Sequence, residues 1–398
     1  MANSTYRSFV VIAGISFLLL VSLSIALCVY VDPYRMYGTG RVQNKPSIYH
    51  REALAKTYLI ERIKPGTLIL GNSQTEAGLD PKSQEWPDGE RPVFNAARGG
   101  SDVFMDWRLL QHDIAVKPPQ VVVLGLDFLD FVNPDAENKS TPVRDDERRL
   151  LVDRNAKPNA SRGVQLWRDF FDTTLTLQAI LDSVETLTQR GHPTTATMTE
   201  LGFNPSRDYE AAIHLAGIEA IFLRNDNIYR NQYRSLYPSL FYSPSRNLEF
   251  RALSAIIDLA KKNDIRLIIF IPPYHSRYLE ILHDTGFCTS FEAWKRALVQ
   301  TVDEAAGKRR DLILLYDFSG YDDISGERVP SPGDTQAEMR WYRDSAHYTP
   351  ALGDLMIASM MDAGPVLGQE LNSLTLEADL RRIRNDRDRL FAPPEARR

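Results

Sequence analysis

Five short apolar runs constrain the fold of this 398-residue chain more than any other feature. They lie at Thr67–Leu70, Val93–Ala96, Val121–Leu126, Leu267–Ile271 and Leu312–Tyr316, and most are rich in Val, Ile and Leu. Continuous apolar runs of this length are typical of parallel strands that are buried on both faces. Stretches with helical spacing of apolar residues separate several of them, as at Asn247–Lys262 and Phe291–Ala306. The alternation predicts an α/β fold with a doubly wound, mostly parallel sheet.

The segment 133–246 interrupts this alternation. It begins with charged residues, and its apolar spacing predicts helices at Thr173–Gln189 and Tyr209–Leu223. A tyrosine-rich stretch, Tyr229–Tyr242, follows. We interpret the segment as an insertion that packs beside the core and forms a lid or part of a binding cleft. Its tyrosine rings suit stacking on sugars, although packing inside the insertion is the simpler explanation for them.

An uncharged apolar segment, Phe9–Val31, lies near the N-terminus. As a helix it would be roughly 34 Å long, enough to cross the hydrocarbon core of a bilayer. A cleaved signal peptide is the alternative, but no Ala-x-Ala cleavage site follows, so we favour an uncleaved signal anchor. Arg7 precedes the segment and Arg35, Arg41 and Lys45 follow it, so the positive charges do not decide its orientation.

The anchor predicts a single-pass protein of the inner (cell) membrane. A large domain after one N-terminal span is most simply exported, so we expect it to face the periplasm or the outside. The predicted organisation is a cytoplasmic N-terminus (1–8), the anchor (9–31), a linker with a lead helix at Arg51–Ile63 (32–64), an α/β domain (65–365) carrying the insertion, and a charged C-terminal helix and tail (366–398).

Composition excludes several classes of function. The net charge is −5 and the isoelectric point is near 5.9, whereas a nucleic-acid-binding domain would be basic. Two cysteines, Cys28 and Cys288, cannot form a disulfide framework or a cysteine metal site. No phosphate-binding loop, dinucleotide-binding glycine motif or metal-binding histidine spacing occurs, so no metal or cofactor is expected.

A serine and a distant Asp–His pair are the candidate catalytic residues. Ser73 follows the first strand-like run, and α/β folds place their active sites at the carboxyl ends of strands. Asp344 and His347 lie three residues apart, just before a helix predicted at Ala351–Met361. Together they could supply a nucleophile, a base and the group that orients the base. The alternatives are a serine that caps a helix and an Asp–His hydrogen bond at the surface. His275, at the end of another strand, either lines the same cleft or is structural.

These segments resemble the SGNH/GDSL hydrolase superfamily. Gly71-Asn72-Ser73 is similar to the block that carries the nucleophile, and Asp344-x-x-His347 to the block that carries the acid and base. Val93–Gly100 resembles the block whose glycine donates a backbone N–H to the oxyanion; here Gly99 and Gly100 are both candidates. The resemblance implies a flavodoxin-like three-layer fold and an oxyanion hole that includes the Ser73 N–H. Asn72, Asn95 and His275 are candidates for contact with substrate.

One position departs from the pattern of this superfamily. Its third block reads Gly-x-Asn-Asp, with the asparagine binding the oxyanion, whereas Gly125-Leu126-Asp127-Phe128 places Asp127 there. An ionised carboxylate would repel the oxyanion, and loss of one donor costs about 10²–10³ in rate. Asp127 is then either protonated or serves a substrate hydroxyl, and the backbone N–H groups of Ser73 and Gly100 form the oxyanion hole.

The anchor and these motifs together resemble the proteins that O-acetylate alginate and other exopolysaccharides. The resemblance implies an extracytoplasmic O-acyltransferase or esterase that acts on acyl groups of an envelope polysaccharide, without a cofactor. A transferase would need an acyl donor, supplied by a membrane partner. The alternative function, which Asp127 favours, is a non-catalytic glycan-binding or assembly component of a polysaccharide export or modification system.

Overall fold

The computed structural model describes residues 2–46, 49–132, 143–192, 195, 198–237, 246–361 and 367–391. The start of the predicted insertion, the end of its tyrosine-rich stretch at Tyr242 and the basic end of the C-terminal tail lie outside these residues.

A six-stranded sheet forms the centre of the described fold. Its strands are β1 (Thr67–Leu70), β2 (Val93–Asn95), β3 (Val121–Gly125), β4 (Arg266–Ile271), β5 (Ile313–Asp317) and β6 (Gln369–Glu370). They lie in the order β2-β1-β3-β4-β5-β6, and only the edge strand β6 is antiparallel to its neighbour. The predicted mostly parallel α/β sheet is therefore confirmed. The two residues of β6 are too few to show a strand pattern in the sequence.

Fourteen α-helices accompany the sheet in the described residues. They are α1 (Ala2–Val31), α2 (Glu52–Ile63), α3 (Ser73–Gly78), α4 (Val103–Val116), α5 (Phe128–Val132), α6 (Arg162–Thr174), α7 (Leu177–Gln189), α8 (Arg207–Ala216), α9 (Ile218–Arg234), α10 (Leu248–Lys262), α11 (Ser276–Asp284), α12 (Cys288–Ala306), α13 (Pro350–Met360) and α14 (Leu376–Phe391).

Two predicted helices are each divided in the structure. The helix predicted at Thr173–Gln189 is interrupted after Thr174, and Thr176 caps α7 by accepting the N–H of Ala179 at 3.1 Å. The helix predicted at Tyr209–Leu223 is interrupted at Gly217, whose φ of 81° is in the region that favours glycine. Apolar spacing continues across both breaks, so it does not reveal them.

Helices cover both faces of the sheet. Alternate strand residues, such as Leu68 and Leu70, pack with α2, α4, α10 and α12 in one buried cluster. Ile69 and its counterparts on the other strands pack with α8, α9 and α13 in a second cluster. Because β1, β3 and β4 are parallel, the residues that follow them meet at one edge of the sheet. Ser73, Asp127 and His275 all follow these strands.

The N-terminal helix α1 is the one candidate membrane span in the described part of the chain. Its segment Tyr6–Val31 has 26 residues and a mean hydropathy of 2.7. It is long and apolar enough to be a membrane anchor or a signal sequence.

Candidate active site

A tight turn places Ser73 at the carboxyl edge of the sheet. Gly71, with a φ of 137°, follows β1; a Cβ there would lie 2.7 Å from Thr75 Oγ1 and 3.0 Å from the carbonyl oxygen of Gly125. No larger residue fits this turn without a shift of its neighbours. Asn72 then caps α3 by accepting the N–H of Gln74 at 3.0 Å, and Ser73 is the first residue of this helix.

The loop before α13 holds Asp344 and His347 in a fixed arrangement. The backbone N–H groups of Ala346 and His347 both donate to Asp344 Oδ1 at 2.8 Å. The N–H of Arg343 donates to the carbonyl of His347, also at 2.8 Å, and closes the loop. Backbone hydrogen bonds within the loop therefore fix the position of Asp344 relative to His347.

The structure brings Ser73, His347 and Asp344 together in one hydrogen-bonded chain. Ser73 Oγ lies 2.9 Å from His347 Nε2, and His347 Nδ1 lies 2.9 Å from Asp344 Oδ2. Asp344 is fully buried, whereas the side chain of His347 is 19% exposed. Because Nδ1–H donates to the carboxylate, Nε2 is free to accept the serine proton. This is the geometry that a serine nucleophile, its base and an orienting acid require.

Burial and charge shift the pKa values of Asp344 and His347 in opposite directions. Burial alone would raise the pKa of Asp344 and lower the pKa of His347. Their mutual attraction and hydrogen bond prevail, so the pKa of Asp344 lies below its ordinary range and the pKa of His347 lies above 6.5. Asp344 therefore stays ionised and stabilises the protonated imidazole that forms when His347 takes a proton.

Two residues that the sequence analysis did not identify donate hydrogen bonds to the Asp344 carboxylate. Tyr209 donates to Asp344 Oδ2 from its hydroxyl at 2.7 Å, and Asn225 donates from its side-chain amide at 2.6 Å. The Asn225 amide also donates to the hydroxyl of Tyr209 at 2.7 Å. They come from α8 and α9, so these helices of the predicted insertion support the Asp–His pair. Nothing in their sequence spacing indicates this role.

The tyrosine-rich stretch contributes mainly to packing. Tyr233 is fully buried, stacks on Phe128 and forms a 2.8 Å hydrogen bond with the hydroxyl of Tyr278. Tyr229 packs against the same tyrosine. Among the described residues of the stretch, Tyr237 alone exposes a large part of its ring. Packing, the simpler explanation, therefore holds for Tyr229 and Tyr233.

Asp127 lies beside the serine turn, with both carboxylate oxygens occupied by protein donors. The side-chain amides of Asn72 and Gln74 donate to Oδ2 at 3.2 and 2.6 Å. The backbone N–H of Leu129 and the hydroxyl of Tyr274 donate to Oδ1 at 3.0 and 3.3 Å. Burial raises the pKa of Asp127, and these hydrogen bonds oppose the rise. Asn72 thus both caps α3 and links the serine turn to Asp127.

The two candidate oxyanion glycines differ in what their N–H groups contact. The N–H of Gly99 donates to Glu76 Oε2 at 3.2 Å and is therefore committed to the protein. Within the described residues, the N–H groups of Gly100 and Ser73 have no hydrogen-bond partner. Gly100 is exposed and has a φ of 70°. Of the two glycines, Gly100 is the one available to an incoming oxyanion.

A buried ion pair fixes the loop that carries these glycines. Lys56 Nζ lies 2.6 Å from Glu76 Oε1 and also donates to the carbonyl of Ala97. Because the other oxygen of Glu76 accepts the Gly99 N–H, the pair connects α2, α3 and the glycine loop. Charge pairing of this kind leaves no recognisable spacing in the sequence.

Asn95 and His275, both candidates for substrate contact, are structural. Asn95 is fully buried; its amide donates to the carbonyls of Thr75, Glu76 and Leu79, and its oxygen accepts the Ala97 N–H. His275 is also buried: Nε2 donates to the Glu327 carbonyl at 2.8 Å, and Nδ1 accepts the Arg277 N–H at the start of α11. Neither side chain has a free polar atom for a substrate.

The described residues contain no group of three or more His, Cys, Asp or Glu side chains that could hold a metal ion. The groups that this site offers for a reaction are the Ser73 hydroxyl, the His347 imidazole and the backbone N–H groups of Ser73 and Gly100. No protein-family model matches the chain, and no curated protein matches it in sequence.

Proposed function

We propose that this chain is a membrane-anchored serine acyl-transfer enzyme of the SGNH/GDSL type. The observation that carries the proposal is the hydrogen-bonded chain Ser73–His347–Asp344 at the carboxyl edge of a parallel sheet. In this proposal α1 remains as an uncleaved anchor and the domain faces the periplasm or the outside. An envelope polysaccharide is the proposed substrate class, and this part rests on the resemblance of the anchor and motifs to exopolysaccharide O-acetylation proteins.

The proposed reaction begins with proton transfer from Ser73 to His347. The Ser73 oxygen attacks the carbonyl carbon of the acyl donor, and the new oxyanion accepts hydrogen bonds from the N–H groups of Ser73 and Gly100. The intermediate then collapses, the bond to the leaving oxygen breaks, and His347 returns the proton to that oxygen. Asp344 keeps the imidazole in the required tautomer and stabilises its charge.

The resulting acyl-enzyme has two possible fates. In an esterase a water molecule, and in a transferase a glycan hydroxyl, loses its proton to His347 and attacks the acyl carbon. The Ser73–acyl bond breaks, and the proton returns to Ser73. Transfer would require an acyl donor, which a membrane partner would supply.

Labelling of the full-length protein with a fluorophosphonate tests this proposal. The wild type should be labelled at Ser73, Ser73→Ala should not be labelled, and His347→Ala should be labelled much more slowly. Ser235→Ala, which removes an exposed hydroxyl at the end of α9, is the matched control and should be labelled like the wild type. A folded wild-type protein that remains unlabelled would contradict the enzymatic proposal.

The position of Asp127 supports a second candidate function, glycan binding without catalysis. A buried carboxylate beside the serine turn is unfavourable for a developing oxyanion, so the site would hold a glycan without activating its acyl group. Incubation with an O-acetylated polysaccharide separates the two functions. Release or transfer of acetyl groups supports the enzyme, whereas binding of the polysaccharide without labelling or acetyl loss supports the binding component.

A further inference from the structure

Helices α6 and α7 have their polar and apolar faces reversed. The side chains that α6 buries are Gln165, Asp169, Thr173 and Thr174, and those that α7 buries include Asp182, Ser183 and Thr186. Most large apolar side chains of the two helices point outward: Trp167 is 67%, Phe171 51% and Leu177 72% exposed, and Val164, Leu181 and Val184 are also exposed. Charged side chains lie between them, at Arg168, Asp172 and Glu185. Surface helices of water-soluble domains show the opposite arrangement.

Hydrogen bonds fix the polar faces toward the protein. Asp169 accepts from Tyr58 at 2.8 Å and from Arg149 at 2.8 and 2.9 Å. Asp182 accepts from the hydroxyl of Tyr34 at 2.5 Å, and Thr173 forms a 2.6 Å hydrogen bond with Tyr37. Rotating either helix to bury its apolar face would leave these buried groups without partners, which is costly. The outward apolar face is therefore a stable property of the fold.

The hairpin formed by α6 and α7 lies alongside α1. Ser24 of α1 donates to the carbonyl of Thr174, the last residue of α6, at 2.6 Å. Further along α1, Cys28 packs with Ala179 and Ile180 of α7. The turn between the two helices is thus next to Ser24, and α7 runs beside α1 away from its exposed end.

The length of the exposed part of α1 places the turn between α6 and α7 level with the edge of the hydrocarbon core that faces the globular domain. Tyr6–Leu20 is the part of α1 that is exposed on all sides, and its 15 residues would be about 22 Å long. A bilayer core is about 30 Å thick and needs roughly 20 helical residues. If α1 spans the core, the core must also include the next turn of the helix, up to about Ser24. The turn between α6 and α7 packs at this same level.

We infer that the α6–α7 hairpin enters the bilayer leaflet on the side of the globular domain. Phe171, Leu177 and Leu181 lie at the boundary between the acyl chains and the headgroups, and Trp167, about one helical turn beyond Phe171, lies among the headgroups. The inference rests on the membrane anchoring in the proposed function but not on the catalytic triad. Two adjacent attachments, α1 and the hairpin, would hold the domain in one orientation, with its active site at a constant height above the membrane.

Spin labels on the full-length protein in nanodiscs of phosphatidylethanolamine and phosphatidylglycerol test this inference. Phe171→Cys, Leu177→Cys and Ile15→Cys would each be labelled with a nitroxide, in a background in which Cys28 and Cys288 are serine. Leu374→Cys is the matched control, because this leucine is 90% exposed and lies far along the chain, beyond β6. The first three labels should collide with oxygen, which dissolves in lipid, and the control with a water-soluble nickel complex.

The outcomes separate the hairpin from the anchor. Nickel access at 171 and 177, with lipid access at 15, would overturn the hairpin inference and leave the anchor intact. Nickel access at all three positions would overturn the anchor as well. Labels shielded from both reagents would mean that protein covers the hairpin, which also overturns contact with lipid. Fluorophosphonate labelling of the same samples reports on the triad independently.

A second measurement avoids any change to the cysteines. Brominated lipids should quench the fluorescence of the wild-type protein more than that of Trp167→Phe, because Trp167 is the most exposed tryptophan among the described residues. Equal quenching of the two proteins would contradict the inference.

Discussion

The side-chain amide of Gln74, the residue after the candidate nucleophile Ser73, donates a 2.6 Å hydrogen bond to Asp127. The other polar atom of this amide, Gln74 Oε1, is buried and has no hydrogen-bond partner within the described residues. The NH2 group of Gln74 therefore faces Asp127 because the carboxylate accepts its hydrogen bond. This orientation leaves the Gln74 oxygen without a donor. Rotation of the amide by half a turn would suit an asparagine at position 127 equally well.

The first prediction is that Asp127→Asn increases the rate of fluorophosphonate labelling. The substitution removes a negative charge near the developing oxyanion, and the rotated Gln74 oxygen can accept a hydrogen bond from the new amide. We expect a rise of roughly 10- to 100-fold, less than the full effect of one oxyanion donor. The melting temperature should fall somewhat, because the Asn72 amide, which also donates to Oδ2, would face the new amide. A slower rate in the folded variant would show instead that the carboxylate assists the reaction.

The second prediction concerns pH. His347 must be neutral to accept the Ser73 proton, and its pKa is raised above 6.5. Labelling should therefore slow as the pH falls through that raised pKa, with a midpoint above pH 6.5. Asp344→Asn removes the charge that raises the pKa, so the midpoint should move to lower pH, and the rate should fall by about 10⁴ because the imidazole loses its orienting partner. A midpoint that does not move would contradict the assigned role of Asp344.

The third prediction is that Asn225→Ala slows labelling through Asp344. Its amide donates to the buried carboxylate at 2.6 Å, and a hydrogen bond to a charged group contributes about 1.5–3 kcal/mol, so we expect roughly a tenfold lower rate. With one donor fewer, Asp344 should attract the protonated His347 more strongly and move the pH midpoint upward. Asn227→Ala, on the exposed side of the same helix, is the control and should change neither value. A lower rate without a shift of the midpoint would indicate a merely structural role.

The sequence predicts the parts of this site whose chemistry is local. Ser73 follows an apolar strand, and Asp344 and His347 lie within one loop, so short motifs indicate all three. Tyr209 and Asn225 lie 135 and 119 positions before Asp344, and only the packing of α8 and α9 brings them to it. The apolar spacing of α6 and α7 likewise predicts two-faced helices but does not tell which face turns inward. That depends on Asp169 and Asp182 finding partners on α2 and near the end of α1.

The fourth prediction concerns the buried pair Lys56–Glu76. Lys56→Met should lower the free energy of unfolding by about 3 kcal/mol, because it leaves the Glu76 carboxylate buried without its charged partner. Labelling should also slow, since Glu76 positions the glycine loop through the Gly99 N–H. The double variant Lys56→Met/Glu76→Leu should recover part of the stability but not the labelling rate. If the double variant also recovered the rate, the pair would not position the loop.

The last prediction links pH to the stability of α4. Asp113 is fully buried, neither carboxylate oxygen has a hydrogen-bond partner within the described residues, and burial raises its pKa to about 8. Between about pH 4 and pH 8 the unfolded chain loses this proton while the folded protein retains it, so the free energy of unfolding should decrease as the pH rises through this range. Asp113→Asn cannot ionise, so its melting temperature should exceed that of the wild type by more at pH 8 than at pH 5. Asp258→Asn, at an exposed position of α10, should show no such divergence. Parallel pH profiles for the wild type and Asp113→Asn would show that Asp113 does not carry a raised pKa in the folded protein.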